Sequence, residues 1–123
     1  MKKFFEYWGP VILWMGVIFT LSAIPNLKTD LEQDFLLRKI AHAIEFGILA
    51  FLLYRAISAS SRVISGRKMI IYSSIIALGY AFSDELHQLF VRGRHCSLKD
   101  VAIDGIGILI FAIACYYRIR KSN

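Results

Sequence analysis

The sequence lacks internal repeats, low-complexity segments and any recognisable domain linker, and it contains only two cysteines. Without a linker, the 123 residues are predicted to form one domain. Cys96 and Cys115 lie at opposite ends of an apolar run long enough to span a membrane, so they cannot form an internal disulfide. The basic residues also do not follow one face, which argues against a nucleic-acid-binding protein despite the formal net charge of +6.

Apolar and aromatic side chains, in contrast, are abundant. Hydrophobic residues make up 57% of the chain and aromatic residues 14%, and the mean hydropathy is +0.55. This composition is too apolar for an ordinary soluble domain. Four apolar runs alternate with polar segments, and their lengths predict helices at about residues 8–24, 40–57, 69–91 and 98–117. The predicted fold class is therefore all-α, an integral membrane four-helix bundle with short loops that forms a single domain over residues 1–123.

The segments around these runs contain further signals. Lysines and aromatic residues at positions 2–8 are typical of an interfacial anchor, and Pro10 suits the first turn of a helix. A cleaved signal peptide is the alternative interpretation of this end of the chain. Residues 25–38 are polar and are expected to form a surface segment whose tail is an interfacial helix. Ser97 and Asp100 have the spacing of a capping box that starts the fourth helix.

The distribution of Lys and Arg predicts the orientation in the membrane. Nine of the fifteen lie at the N-terminus, between the second and third runs, and at the C-terminus. The other six lie in the first and third loops, and the first loop also holds three acidic residues. By the positive-inside rule, a multi-pass protein of the cell membrane with both termini in the cytoplasm is expected.

The acidic and histidine residues inside the apolar runs are all located at one end of the predicted bundle. In a four-span serpentine chain, the start of the second helix, the end of the third and the start of the fourth meet at the same membrane face. Spacings of three and four residues also place these side chains on common helix faces. Ionisable groups at this depth are costly and mark functional sites. A shared polar pocket is therefore predicted from Lys39, His42, Glu45, Asp84, Glu85, His87, Gln88, Asp100 and Asp104.

Four motifs connect this pattern to a known family. They are RKIAHAIEF at 38–46, SDELHQLF at 83–90, GR at 93–94 and DVAIDG at 100–105. Together they resemble the VanZ-like membrane protein family over about residues 10–116. Three positions depart from the family pattern: Arg92 replaces a usual proline, Phe46 a common tyrosine and Ala43 a common phenylalanine. None of the three removes a charged motif position.

The resemblance implies a location in the bacterial cell envelope. It also implies a link to resistance against teicoplanin-type lipoglycopeptides, which is associated with the founding member of the family. The expected partners are membrane lipids and a lipid-linked cell-wall precursor or a lipoglycopeptide, with no nucleic acid. The resemblance supplies neither a reaction nor a cofactor.

Several kinds of chemistry fit the predicted pocket. The favoured hypothesis is that the protein binds or modifies an amphiphilic envelope molecule, with Glu85, Asp84, His42 and Glu45 as catalytic acid–base groups. Substrate binding is assigned to Lys39, Gln88, Arg92, Arg94, Asp100 and Asp104, since guanidinium groups match phosphate oxygens. No metal site is assigned, although histidine and carboxylate groups three residues apart on a helix can chelate an ion.

Two alternatives without chemistry stay open. In one, the buried charges only lock the helices together, as polar residues do in membrane bundles. In the other, the pocket occludes a drug or a partner without turnover. A transporter is disfavoured because the chain shows no inverted repeat.

Overall fold

A computed structural model of the chain describes residues 2–23, 32–61, 63–90 and 98–122, and it excludes the side chains of 22–23, 32–38, 88 and 122. The described residues form four α-helices. They are α1 (Lys2–Ala23), α2 (Glu32–Ser60), α3 (Gly66–Gln88) and α4 (Leu98–Ser122). The fold is all-helical, as predicted from the four apolar runs.

Contacts at one end of the bundle show that successive helices run in opposite directions. The indole of Trp8 donates a hydrogen bond of 2.8 Å to Ser60 Oγ, which joins the start of α1 to the end of α2. The guanidinium of Arg67 lies 5.6 Å from the centroid of the Tyr116 ring, which joins the start of α3 to the end of α4. This end of the bundle therefore contains two helix starts and two helix ends.

The opposite end joins the remaining helix termini. The Phe19 ring near the end of α1 stacks on His87 near the end of α3, with ring centroids 4.2 Å apart. The ammonium of Lys39 lies 3.9 Å from Asp100 Oδ1, between α2 and the first turn of α4. The up-down topology thus brings the polar ends of three apolar runs to one end of the bundle.

The pair α2 and α3 forms the centre of the bundle. Both α1 and α4 pack against both of these helices, whereas α1 and α4 do not touch each other within the described residues. The core between the helices consists of closely packed aliphatic and aromatic side chains. Its members include Val11, Ile18, Phe46, Leu49, Leu53, Ala77, Ala81, Ile108 and Phe111.

A glycine contact sets the separation between α2 and α4. A Cβ added to Gly107 would overlap the carbonyl group of Ala43, and one added to Gly47 would lie 3.1 Å from the Gly107 carbonyl oxygen. The two backbones are therefore in direct contact at this level, which is the arrangement that small residues permit in membrane bundles. Gly107 is thus the residue of α4 that permits this close approach.

The outer faces of the helices are apolar rather than polar. By length and hydropathy, two segments qualify alone as membrane spans, Lys2–Leu21 and Lys39–Ser60. The other two helices carry charges at their ends but expose apolar side chains between them. Such a surface suits a lipid environment, because large apolar patches exposed to water are rare in soluble monomers. The exposed set includes Ile12, Leu13, Phe51, Ile75, Ile76, Leu109, Ile110 and Ile113.

The limits of the helices differ from those of the apolar runs that predicted them. α1 begins at Lys2 rather than at residue 8, and Pro10 lies inside the helix instead of in its first turn. α2 begins at Glu32, so residues 32–37 of the polar stretch belong to the same helix as the second apolar run and do not form a separate helix. α3 ends at Gln88, before the predicted residue 91, and α4 continues to Ser122 instead of ending near 117.

Candidate functional site

The polar end of the bundle is centred on the imidazole of His42. Its Nδ1 lies 2.7 Å from Asp104 Oδ1, and its Nε2 lies 3.8 Å from Asp84 Oδ2. The first distance is that of a short hydrogen bond, whereas the second is too long for one and is that of an ion pair. The three side chains come from α2, α3 and α4, and we call them the His42 cluster.

The two carboxylates of the His42 cluster are deeply buried, and the histidine is less so. The side chain of Asp104 is fully buried, that of Asp84 is 1% exposed, and that of His42 is 21% exposed. Asp104 Oδ2 is buried and has no hydrogen-bond partner within the described residues. A buried polar atom without a partner destabilises the folded state by about 1–3 kcal/mol. A bound hydrogen-bond donor would remove this penalty.

A second ion pair lies one helical turn from the His42 cluster, nearer the helix starts. Lys39 precedes His42 by three residues, and Asp100 precedes Asp104 by four, so the pair of Lys39 and Asp100 continues the same two helix faces. Both of these side chains are about one-third exposed. Polar side chains therefore continue from the end of the bundle, at Lys39 and Asp100, to the buried His42 cluster. We call this row of side chains the polar path.

The two remaining predicted catalytic acids lie beside the cluster. Glu85 follows Asp84 on α3 and is 1% exposed. Glu45 is half-buried one turn after His42, and its carboxylate is close enough to interact electrostatically with the imidazole. Together with Asp100, five of the nine acidic residues therefore lie within about one turn of this level of the bundle.

Part of the predicted substrate-binding set lies outside the described residues. Arg92 and Arg94 belong to the segment 91–97, which the structure does not describe, and the side chain of Gln88 is also outside the description. Their assignment to substrate binding stays a prediction. The described members of that set, Lys39, Asp100 and Asp104, lie on adjoining turns of α2 and α4.

Two hydrogen bonds to backbone carbonyl oxygens connect α1 to α2 and α3 near the His42 cluster. Neither contact was predicted from the sequence. The indole of Trp14 donates a hydrogen bond of 2.9 Å to the carbonyl oxygen of Glu45, and the hydroxyl of Tyr80 donates one of 2.7 Å to the carbonyl oxygen of Met15. Glu45 lies one turn from His42, and Tyr80 one turn from Asp84. A polar aromatic inside an apolar run was the available signal, since such groups need an acceptor when they are buried.

His87 does not join the His42 cluster through a hydrogen bond. Its ring stacks on Phe19 of α1, and its Nδ1 atom is buried without a hydrogen-bond partner in the described part of the chain. The structure therefore shows His87 in a contact between α1 and α3.

No metal-binding arrangement is found over residues 2–23, 32–61, 63–90 and 98–122. No group of three or more His, Cys, Asp or Glu side chains there is placed to hold an ion. His42, with Asp104 and Asp84 beside its ring, forms an arrangement that can hold and transfer protons. The hydrogen bond to Asp104 orients the imidazole for acid–base chemistry.

The fold and the polar site define a small four-helix membrane protein with a charged cluster buried near one end. A family model described as VanZ/LLP1 matches residues 5–120, and the chain belongs to this family. The match extends over all four helices, and it confirms the resemblance drawn from the motifs.

One relative adds the cellular setting. Over 114 residues the chain is 27% identical to a Bacillus subtilis (strain 168) protein that is named uncharacterized membrane protein YwnJ. The alignment covers 86% of this chain and 74% of the relative. No solved structure matches the chain. The protein is therefore a VanZ-family membrane protein.

Proposed function

We propose that the protein acts in the bacterial cell envelope, where the His42 cluster binds or modifies the head group of a lipid-linked or amphiphilic molecule. Reduced susceptibility to teicoplanin-type glycopeptides is the cellular effect that we assign to this activity. The proposed partners are membrane lipids together with a lipid-linked cell-wall precursor or a lipoglycopeptide.

One observation carries the proposal. A partly exposed histidine lies between two buried carboxylates from two other helices, and Asp104 Oδ2 keeps a buried oxygen without a partner in the described residues. A site of this kind accepts a hydroxyl or ammonium group of a ligand, because that group would satisfy the oxygen. Burying such charges for no purpose is expensive in a bilayer.

The basic residues support an outward location for the His42 cluster. Both helix starts and both helix ends at the opposite end of the bundle carry Lys or Arg, among them Lys3, Arg67 and Arg120. Cytoplasmic ends of membrane proteins are rich in these residues. Both termini are accordingly placed in the cytoplasm, and the His42 cluster lies near the outer face of the membrane.

The proposal assigns separate roles to individual side chains. His42 transfers a proton, and Asp104 orients its ring through the 2.7 Å hydrogen bond. Lys39 at the end of the polar path attracts an anionic head group. Arg92 and Arg94, in the connection between α3 and α4, are assigned to a phosphate on the substrate by the geometry of the guanidinium group.

The test compares lipids extracted from cells that express the wild type, His42→Gln, Asp104→Asn or no protein. We expect at least one envelope lipid to change in abundance with the wild type and to return to the empty-cell level with both variants. His87→Gln is the matched control, because it removes a histidine that stacks on Phe19 and lies outside the His42 cluster. It should behave as the wild type. Teicoplanin susceptibility is measured in the same strains.

The outcomes separate modification from binding. A changed lipid that depends on His42 indicates chemistry, whereas unchanged lipids with a His42-dependent change in teicoplanin susceptibility indicate binding without turnover. If His42→Gln is inserted at wild-type levels and neither readout depends on it, the proposal is wrong.

A purely structural role is the second candidate, and the ion pairs favour it. The contacts of His42 with Asp84 and Asp104, and of Lys39 with Asp100, each connect two different helices. Polar contacts between membrane helices contribute about 0.6 kcal/mol on average and up to about 1.7. In this case His42→Gln lowers the stability of the bundle, and wild-type cells have the same lipids and drug susceptibility as empty cells.

A further inference from the structure

A groove lies between the start of α3 and the end of α4, at the end of the bundle opposite the His42 cluster. Its volume is about 530 Å³, and its walls combine aliphatic side chains with two tyrosines and two arginines. The side chains that line it include Arg67, Ile71, Ile113, Tyr116, Tyr117 and Arg120.

The packing of α3 on α4 holds the basic rim of this groove in place. A Cβ added to Gly66 would lie 2.9 Å from Ile119 Cδ1, so the start of α3 packs closely against the end of α4. The next residue, Arg67, places its guanidinium 5.6 Å from the centroid of the Tyr116 ring, which is within cation–π range. One basic group is therefore already positioned over the groove.

The charge at this rim is positive. None of the residues that line the groove is acidic. The first turn of α3 holds Arg67 and Lys68 with no acidic residue, although cations are unfavourable at the positive end of the helix dipole. Within the described residues, no ion pair joins Arg67 or Arg120 to a carboxylate. An external anion would offset this electrostatic cost.

The combination of an apolar groove and a basic rim points to a lipid. We propose that the groove binds one anionic glycerophospholipid, with its phosphodiester at Arg67 and Arg120 and an acyl chain along the exposed Ile71 and Ile113. Guanidinium groups pair with phosphate oxygens bidentately, and tyrosines are enriched at the level of lipid head groups. Basic pockets between helices on the cytoplasmic side are the sites where anionic head groups bind.

The same features disfavour other occupants. A free phosphate ion makes no use of the aliphatic wall. A choline phospholipid would place its quaternary ammonium group beside two arginines, and these like charges repel each other. The proposed lipid site is independent of the function assigned to the His42 cluster, because the two lie at opposite ends of the bundle.

Native mass spectrometry of the full chain in detergent tests the proposal. The protein is titrated with phosphatidylglycerol and with phosphatidylcholine of the same acyl chains, and we expect one phosphatidylglycerol to bind in preference. Arg67→Gln and Arg120→Gln should each weaken this binding about fivefold and the double variant about thirtyfold, since a basic side chain near an anionic surface contributes about 1 kcal/mol.

Arg118→Gln is the matched control. It removes one guanidinium from the same end of α4, and Arg118 does not line the groove. This variant should retain phosphatidylglycerol binding within about twofold, well below the fivefold effect expected for a rim arginine. The double variant Arg67→Lys with Arg120→Lys keeps the charges but not the planar fork, so its affinity should lie between those of the wild type and the double Gln variant. This variant also serves as the test if the Gln variants fail to fold.

Three results would overturn the proposal. The first is equal binding of both lipids by the wild type. The second is a loss with Arg118→Gln as large as that with Arg67→Gln. The third is displacement of the bound lipid by millimolar inorganic phosphate, which indicates a site for the anion alone.

Discussion

At the scale of the single residue, the most consequential feature is that His42 contacts carboxylates of two other helices. The 2.7 Å contact with Asp104 is a short hydrogen bond. Asp84, at 3.8 Å, interacts with the ring by charge and not by a hydrogen bond. The two acids are therefore not equivalent, and exchanging each for its amide should separate their roles.

A double-mutant cycle measures the stronger of these contacts. We expect His42→Gln and Asp104→Asn to be non-additive in the free energy of unfolding, with a coupling of roughly 0.5–3 kcal/mol, because residues in direct contact share their interaction energy. Reversible unfolding in detergent micelles provides the measurement.

Asp100→Asn is the control partner in this cycle. It changes the same functional group on the same helix, one turn away, at a residue that pairs with Lys39 instead of His42. Its coupling to His42→Gln should be below about 0.5 kcal/mol. Additivity of His42→Gln with Asp104→Asn would show that the hydrogen bond does not contribute to stability.

At the scale of the helix, the contact between α2 and α4 is the tightest in the bundle. The backbone of Gly107 lies against the carbonyl of Ala43, and no side chain fits between them. This contact lies one turn of α4 beyond Asp104 and one residue beyond His42 on α2. The spacing between α2 and α4 therefore sets the distance between His42 and Asp104.

Substituting Gly107 tests this dependence. Gly107→Ala should destabilise the protein by about 1–3 kcal/mol, because the added methyl group forces the two helices apart. Gly79→Ala is the matched control in the interior of α3, where a Cβ meets nothing within 4 Å. It should leave stability unchanged or raise it by up to about 1 kcal/mol. Thermal unfolding of both variants in the same detergent decides the point, and equal midpoints would contradict the prediction.

The length of the apolar runs and their alternation with polar segments predicted the number of helices and the location of the polar end. They did not predict where each helix begins and ends. α2 starts at Glu32, within a polar stretch in which hydropathy carries no signal. α1 continues through Pro10, which the sequence analysis placed in a first turn. A proline inside a helix costs one hydrogen bond, and only tertiary packing determines whether the helix continues past it.

The sequence also grouped the charged residues without pairing them. Spacing placed Lys39, His42 and Asp104 on suitable faces, but the partner of each depends on helix rotation and separation, which short motifs do not encode. The contacts of Trp14 and Tyr80 with backbone carbonyls were hidden for a similar reason, because every residue offers the same acceptor.

At the scale of the whole molecule, charge is distributed unevenly between the two ends. The acidic side chains of the site region lie near the ends of α1 and α3, whereas Arg55, Arg67 and Arg120 lie near the opposite end. In a membrane this asymmetry predicts one orientation, with the basic end in the cytoplasm.

Reporter fusions test the orientation. A fluorescent protein that folds only in the cytoplasm should be active when fused after residue 60 or at the C-terminus. Alkaline phosphatase, which is active only outside, should be active when fused after residue 90. The complementary reporter at each position is the control and should be inactive. Outside locations for both residue 60 and the C-terminus would show that the basic end faces outward, and the site would then face the cytoplasm.

The peripheral position of α1 has a consequence for access to the interior. α1 contributes no residue to the His42 cluster and does not touch α4 in the described part of the chain. The polar contacts between α1 and the other helices include three hydrogen bonds between uncharged groups, made by the side chains of Trp8, Trp14 and Tyr80. Neutral bonds of this kind are weaker than charge-assisted ones. A tilt of α1 away from the bundle would therefore break none of the ion pairs that join Lys39 and His42 of α2 to α3 and α4.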